Sequence, residues 1–229
     1  MFDQAVRETR FADRHHAGRV LAGRLRAYVG RDDVLVLGLP RGGVPVAYEV
    51  AKSLAAALDV FVVRKLGVPQ QAELAMGAIA SGGVRVLNED VVRWYRIPHD
   101  VIELVARDEE RELGRRERAY RNGRPAVPIE GKVIVFVDDG LATGSTMRAA
   151  VTAIRRLTPL RVIVAVPVGA RESCDELRAV ADEVVCAQTP ASFSAVGVWY
   201  ADFTQTTDDE VTALLQQADA VGTPRGSRP

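Results

Sequence analysis

The chain has 229 residues, 48% of them hydrophobic, with 30 basic and 30 acidic side chains. That apolar content suffices for one substantial core, and a formal net charge of zero removes any global pull toward nucleic acid or an anionic membrane. Cys174 and Cys186 are too few for a disulfide framework or a zinc site, and no apolar run approaches the ~18 residues of a membrane span, so a cytoplasmic protein is expected.

In chain order, residues 11–29 are expected to form a helix with Ala17, Val20, Leu21, Leu25 and Tyr28 near one stripe. An apolar run of strand length follows at 34–39, then a helical pattern at 44–58 and a second run at 60–63. Residues 66–88 contain Gly67, Gly77, Gly82 and Gly83, with short strands suggested near 75–80 and 84–87. Residues 98–121 open as an amphipathic helix with Pro98 in its first turn. After Ala106 they become almost wholly charged, which reads as a solvated surface. Strands are expected at 133–137, 162–168 and 184–187, with helices at 146–157 and 171–180 between them. The tail, 218–229, is rich in Gly, Pro, Ser and Arg and reads as disordered. This alternation predicts an α/β fold: an open, mostly parallel sheet of about five strands with helices on both faces. Ligands of such sheets sit beyond the carboxyl ends of the strands.

The most informative stretch lies at such an end. Val133, Ile134, Val135, Phe136 and Val137 run directly into Asp138 and Asp139, and then into a loop of small and hydroxyl residues, Ala142, Thr143, Gly144, Ser145 and Thr146. The amphipathic helix after it carries Met147, Ala150, Val151, Ile154 and Leu157 on one face. Small residues let backbone N–H groups reach phosphate oxygens, and the helix N-terminus adds partial positive charge. Carboxylates repel phosphate but accept hydrogen bonds from ribose hydroxyls, or share Mg²⁺ with them. The stretch reads as a grip for a sugar phosphate. No lysine follows Gly144, so it is not a P-loop.

This block resembles the PRPP-binding motif of type I phosphoribosyltransferases, in which two acids precede three variable residues and Thr-Gly-x-Thr. Its Leu-Ala-Thr-Gly core is closest to the adenine-type version. The resemblance implies a single phosphoribosyltransferase domain over 1–217, with a hood from about 1–30 and 188–210 and a flexible loop at about 66–88. It implies that Asp138 and Asp139 hold the ribose hydroxyls and Mg²⁺, and that residues 142–146 hold the 5′-phosphate. Arg41, Gly42 and Gly43, after the first strand, match the pyrophosphate-binding loop, where relatives often carry a non-proline cis peptide. Arg64 and Lys65, at the end of the 60–63 strand, would face the leaving pyrophosphate, with Lys65 assisting catalysis. Glu73 is the loop acid that would orient or deprotonate an incoming base. Phe193 and Trp199 in the hood would stack on that base, although packing against the sheet accounts for them equally. Hypoxanthine/guanine-type enzymes place an Asp just before Thr-Gly. Here Ala142 stands there, which counts against those acceptors and leaves a purine only slightly favoured.

The expected function is transfer of the phosphoribosyl group from PRPP to a nitrogenous base, with Mg²⁺, in nucleotide salvage. The competing class is a PRPP-sensing regulator with little or no transferase activity. Expected partners are PRPP and a small base, with no membrane and no nucleic acid. A homodimer is the assembly common to such folds.

Overall fold

The computed structural model describes residues 9–69 and 71–222, apart from the side chains of residues 72, 73, 221 and 222. The first elements are α1 (Arg14–Ala22), β1 (Val34–Gly38), α2 (Gly43–Leu54) and β2 (Ala57–Val60). Next come β3 (Val63–Val68), β4 (Gln71–Ala80), β5 (Val84–Leu87), α3 (Glu89–Trp94) and α4 (His99–Arg121). The chain closes through β6 (Val133–Val137), α5 (Ser145–Ile154), β7 (Arg161–Val168), α6 (Arg171–Leu177), β8 (Glu183–Gln188) and α7 (Asp208–Gly222).

Five strands form a parallel sheet in the order β2-β1-β6-β7-β8. The period of a strand sorts its side chains between two cores. Val34 and Val36 of β1, with Val133, Val135 and Val137 of β6, pack in one cluster with residues of α1, α2, α4 and α7. Leu35, Leu37, Ile134 and Phe136 pack in the other with residues of α5 and α6. Both faces are thus covered, which is why these strands are continuously apolar. The strand order reverses between β1 and β6, and their last residues, Gly38 and Val137, are register partners. That switch point is where a crevice opens beyond the strand ends.

Four expectations need correction. The apolar run 60–63 is not one strand. The Phe61 N–H turns to the Gly38 carbonyl and the Val62 N–H to the Ser81 hydroxyl, so the chain leaves the parallel sheet there. Strand structure in the region expected as a loop at about 66–88 extends beyond the short strands expected near 75–80 and 84–87, because β3, β4 and β5 pair as an antiparallel sheet. The helix at 98–121 is not simply a solvated surface. Ile102, Ala106, Leu113 and Tyr120 make a buried stripe on α4 that the surrounding charges hide in the sequence. Residues 218–222 continue α7, and 223–229 lie outside the described residues.

Two further contacts tie elements together. Arg121, at the end of α4, donates to both carboxylate oxygens of Asp59 at 3.0 and 3.2 Å, and the pair is buried. Removing one member of such a pair costs about 3–5 kcal/mol, because the survivor is an uncompensated buried charge. The Cys174 and Cys186 sulfurs are bonded, joining α6 to β8, where two reduced thiols were expected.

Candidate active site

The acid loop follows directly from β6. The Asp138 Oδ1 accepts the Asp139 N–H at 2.9 Å, which fixes the first carboxylate at the strand end. Beyond the pair the Leu141 N–H reaches the Val168 carbonyl and the Ala170 N–H returns to the Leu141 carbonyl, so the loop is fastened to the end of β7. The Ser173 hydroxyl donates to the Ala142 carbonyl from α6. Gly144 then takes φ 69°, a left-handed conformation suited to glycine, and caps α5 without a side-chain hydrogen bond. The first N–H groups of α5 therefore keep no side-chain partner, and Thr143, Ser145 and Thr146 surround them at the surface. An uncapped helix mouth ringed by hydroxyls is a site for an oxyanion.

The loop after β1 closes the other side. It contains a cis peptide between Pro40 and Arg41, followed by Gly42 and Gly43 at the start of α2. Crowding explains both glycines. A Cβ on Gly42 would lie 2.0 Å from Asp139 Oδ2, and one on Gly43 would lie 2.7 Å from the Val137 carbonyl oxygen and 2.8 Å from the Asp138 Cα. The two loops expected from the sequence are therefore packed against each other at the switch point.

The electrostatics follow from burial. Removal from water pushes the Asp138 carboxyl well above the usual carboxylate range, and the Asp139 charge adds to this. Burial also raises Asp139, opposed by the Arg14 guanidinium. Arg14 opens α1, donates through Nε to Asp139 Oδ2 at 2.9 Å, and sets Nη2 2.9 Å from the same oxygen as an ion pair. The Tyr200 hydroxyl donates to the Asp139 backbone carbonyl, and burial pushes that phenol up. Tyr200 belongs to the aromatic-rich 192–203 segment, whereas Arg14 does not stand out in the sequence. Arg14 is 125 positions from its partner, and no local pattern marks it.

Other expected residues are placed differently. Arg41 directs its guanidinium to Asp208 at the start of α7, 3.7 Å away, where the Tyr120 hydroxyl also binds. Arg64 and Lys65 lie in β3 of the antiparallel sheet, not at the end of a parallel strand, and Arg64 is 2.6 Å from Glu109 of α4. The backbone of Glu73 belongs to β4, while its side chain lies outside the described residues. Phe193 and Trp199 pack on a small cluster of Phe11, Ala17, Val168 and Tyr200. The segment holding this cluster binds the chain start, with the Phe11 N–H on the Trp199 carbonyl and the Ala201 N–H on the Phe11 carbonyl. Val196 leans over the acid loop so closely that a Cβ on Gly140 would meet it at 2.5 Å.

Comparison with known proteins agrees with this arrangement. Residues 12–202 match the family model of the phosphoribosyl transferase domain. A Mycobacterium tuberculosis protein provisionally named a phosphoribosyl transferase is 54% identical over 208 residues. That alignment takes in 91% of this chain but 47% of the relative, so the chain spans about half the length of the curated relatives it matches. The crystal structure of the protein TT1426 from Thermus thermophilus is similar at TM-score 0.82 and 44% identity, covering 91% of this chain and 99% of that one.

Proposed function

This chain belongs to the phosphoribosyl transferase family, and on that premise we propose that it binds PRPP at the mouth of β1 and β6 and transfers the phosphoribosyl group to a nitrogenous base. The observation that carries the reading is the meeting of the acid pair with the uncapped start of α5 at the switch point of the sheet. Asp138 and Asp139 accept the ribose hydroxyls, and the α5 N–H groups with the Thr143, Ser145 and Thr146 hydroxyls take the 5′-phosphate. The Gly42–Gly43 backbone lines the pyrophosphate side. Arg41 joins it by exchanging Asp208 for the ligand, and Arg64 by exchanging Glu109.

In the reaction the C1–O bond to pyrophosphate breaks, its electron pair leaving with pyrophosphate, while the acceptor nitrogen forms a C1–N bond and any proton it carries passes to the departing pyrophosphate or to water. The protein's part is alignment and charge stabilisation of an oxocarbenium-like state. Mg²⁺ fits the chemistry of the site only in part. The two carboxylates are hard oxygen donors, yet no group of three or more His, Cys, Asp or Glu side chains that could hold a metal occurs among the described residues. The ligand's own oxygens would complete its shell, and the ion would neutralise the departing pyrophosphate. A purine acceptor rests on the adenine-like loop core alone, and nucleotide salvage and a homodimer belong to the same proposal. A cytoplasmic setting belongs to it too.

Calorimetric titration with PRPP tests the site. Changing Asp138 and Asp139 together to Asn should abolish the binding heat while the unfolding transition persists, and unchanged affinity removes the assignment. Pyrophosphate release is then screened over free purines, pyrimidines and pyridines with Mg²⁺. The pairing of Arg41 and Arg64 with protein acids favours one other reading, a PRPP sensor. Tight PRPP binding with no release across the panel would select it.

A further inference from the structure

Arg14 is held more firmly than an ion pair requires. Besides its hydrogen bond and its ion-pair contact to Asp139 Oδ2, its Nη1 donates to the Thr204 carbonyl at 2.7 Å. Its guanidinium lies 4.0 Å from the centre of the Phe203 ring and 6.0 Å from that of Tyr200. A carboxylate, a carbonyl and two aromatic faces fix a single cation against one wall of the acid pair. A planar fork with several donors is suited to this, and the arrangement is built from α1 and the 200–204 segment together.

The consequence for the carboxylates is specific. Arg14 takes up Oδ2 of Asp139, and the Asp139 N–H takes up Oδ1 of Asp138. One oxygen remains on each acid. Two acceptors on neighbouring carboxylates match the two donors of a cis-diol. A divalent ion bridging those same oxygens would instead have to settle beside a fixed guanidinium, and Mg²⁺ also demands near-octahedral oxygen coordination. We propose that Arg14 is a resident counter-cation and positioning residue, which lets Asp138 and Asp139 bind the ribose diol directly, with no metal between carboxylate and sugar. This rests on the sugar-phosphate reading of the site and sharpens it: any Mg²⁺ serves the pyrophosphate.

Ribose 5-phosphate, which has the diol and the phosphate but no pyrophosphate, separates the two roles. Its affinity for the unaltered protein, read by calorimetry, should be the same within about twofold in EDTA and in Mg²⁺. In Arg14→Gln it should fall about tenfold or more in EDTA and recover substantially in Mg²⁺, because the metal now supplies the missing charge. Arg14→Lys keeps the charge without the fork. It should stay metal-independent, with an intermediate affinity, and it guards against a variant that merely unfolds. A metal requirement in the unaltered protein, or a loss in Arg14→Gln that Mg²⁺ leaves unchanged, overturns the counter-cation while the site reading stands. Failure of the unaltered protein to bind either ribose 5-phosphate or PRPP overturns both.

Discussion

The two loops at the sheet's switch point use glycine for opposite reasons. In the loop before α5, a Cβ on Gly144 would make only ordinary contacts, the nearest being Leu141 Cδ1 at 3.6 Å and Leu177 Cδ1 at 3.8 Å. What it supplies is a backbone turn, at φ 69°, that aims N–H groups outward. In the loop before α2, Gly42 and Gly43 have negative or unremarkable φ, with Gly42 at −60°. What they supply is the absence of a side chain, since the acid pair occupies that space. One loop is a turn and the other a wall, and the wall presses directly on the carboxylates.

Substitutions can break this contrast. The largest effect is expected for Gly43→Ala, where the added carbon meets backbone that cannot turn aside. Overpacking of this kind costs about 1–3 kcal/mol, seen as a lowered midpoint in urea unfolding. Gly42→Ala meets a side-chain oxygen instead, so it should displace Asp139 and abolish ribose 5-phosphate binding with a smaller stability loss. The effect of Gly144→Ala should be conformational only, about 1 kcal/mol in stability, with weakened phosphate affinity and an unchanged diol site. A Gly43→Ala protein as stable as the parent would mean that the wall yields.

The acid pair sharpens the comparison through pH. Asp138 keeps its proton in the folded state to a higher pH than in the unfolded chain, whose carboxyl titrates near about 3.9. The folded protein therefore binds the extra proton, and its stability falls as pH rises from about 3.9 through the raised folded value. Asp138→Asn removes that penalty. Thermal unfolding of variant and parent should coincide near about pH 3 and diverge toward neutrality, the variant being the more stable. A variant less stable than its parent at neutral pH would show that Asp138 is held as a favourable charge.

How much of this was legible depended on sequence distance. The β6–loop–α5 unit was readable because strand, acids, glycine turn and helix follow one another within 133–154, so local chemistry and global position agree. The antiparallel sheet was half-visible. Its strands showed near 75–80 and 84–87, but Val60, Phe61, Val62 and Val63 form one apolar run whose break depends on Ser81 and Gly38. The buried face of α4 escaped because Ile102, Ala106, Leu113 and Tyr120 are too sparse to outweigh their charged neighbours. Arg14 escaped for a simpler reason, that its partners are 125 and 190 positions away.

The pairing of Gly38 with Val137 has a consequence for how the protein comes into being. During synthesis the glycine wall leaves the ribosome long before the acids it will press against have been translated. Until that strand arrives, the nascent chain offers a ligand half a cradle, so binding can reward only the finished sheet. A small molecule that occupies the crevice should then brace the whole β2-β1-β6 zipper against opening and slow hydrogen exchange in all three strands together.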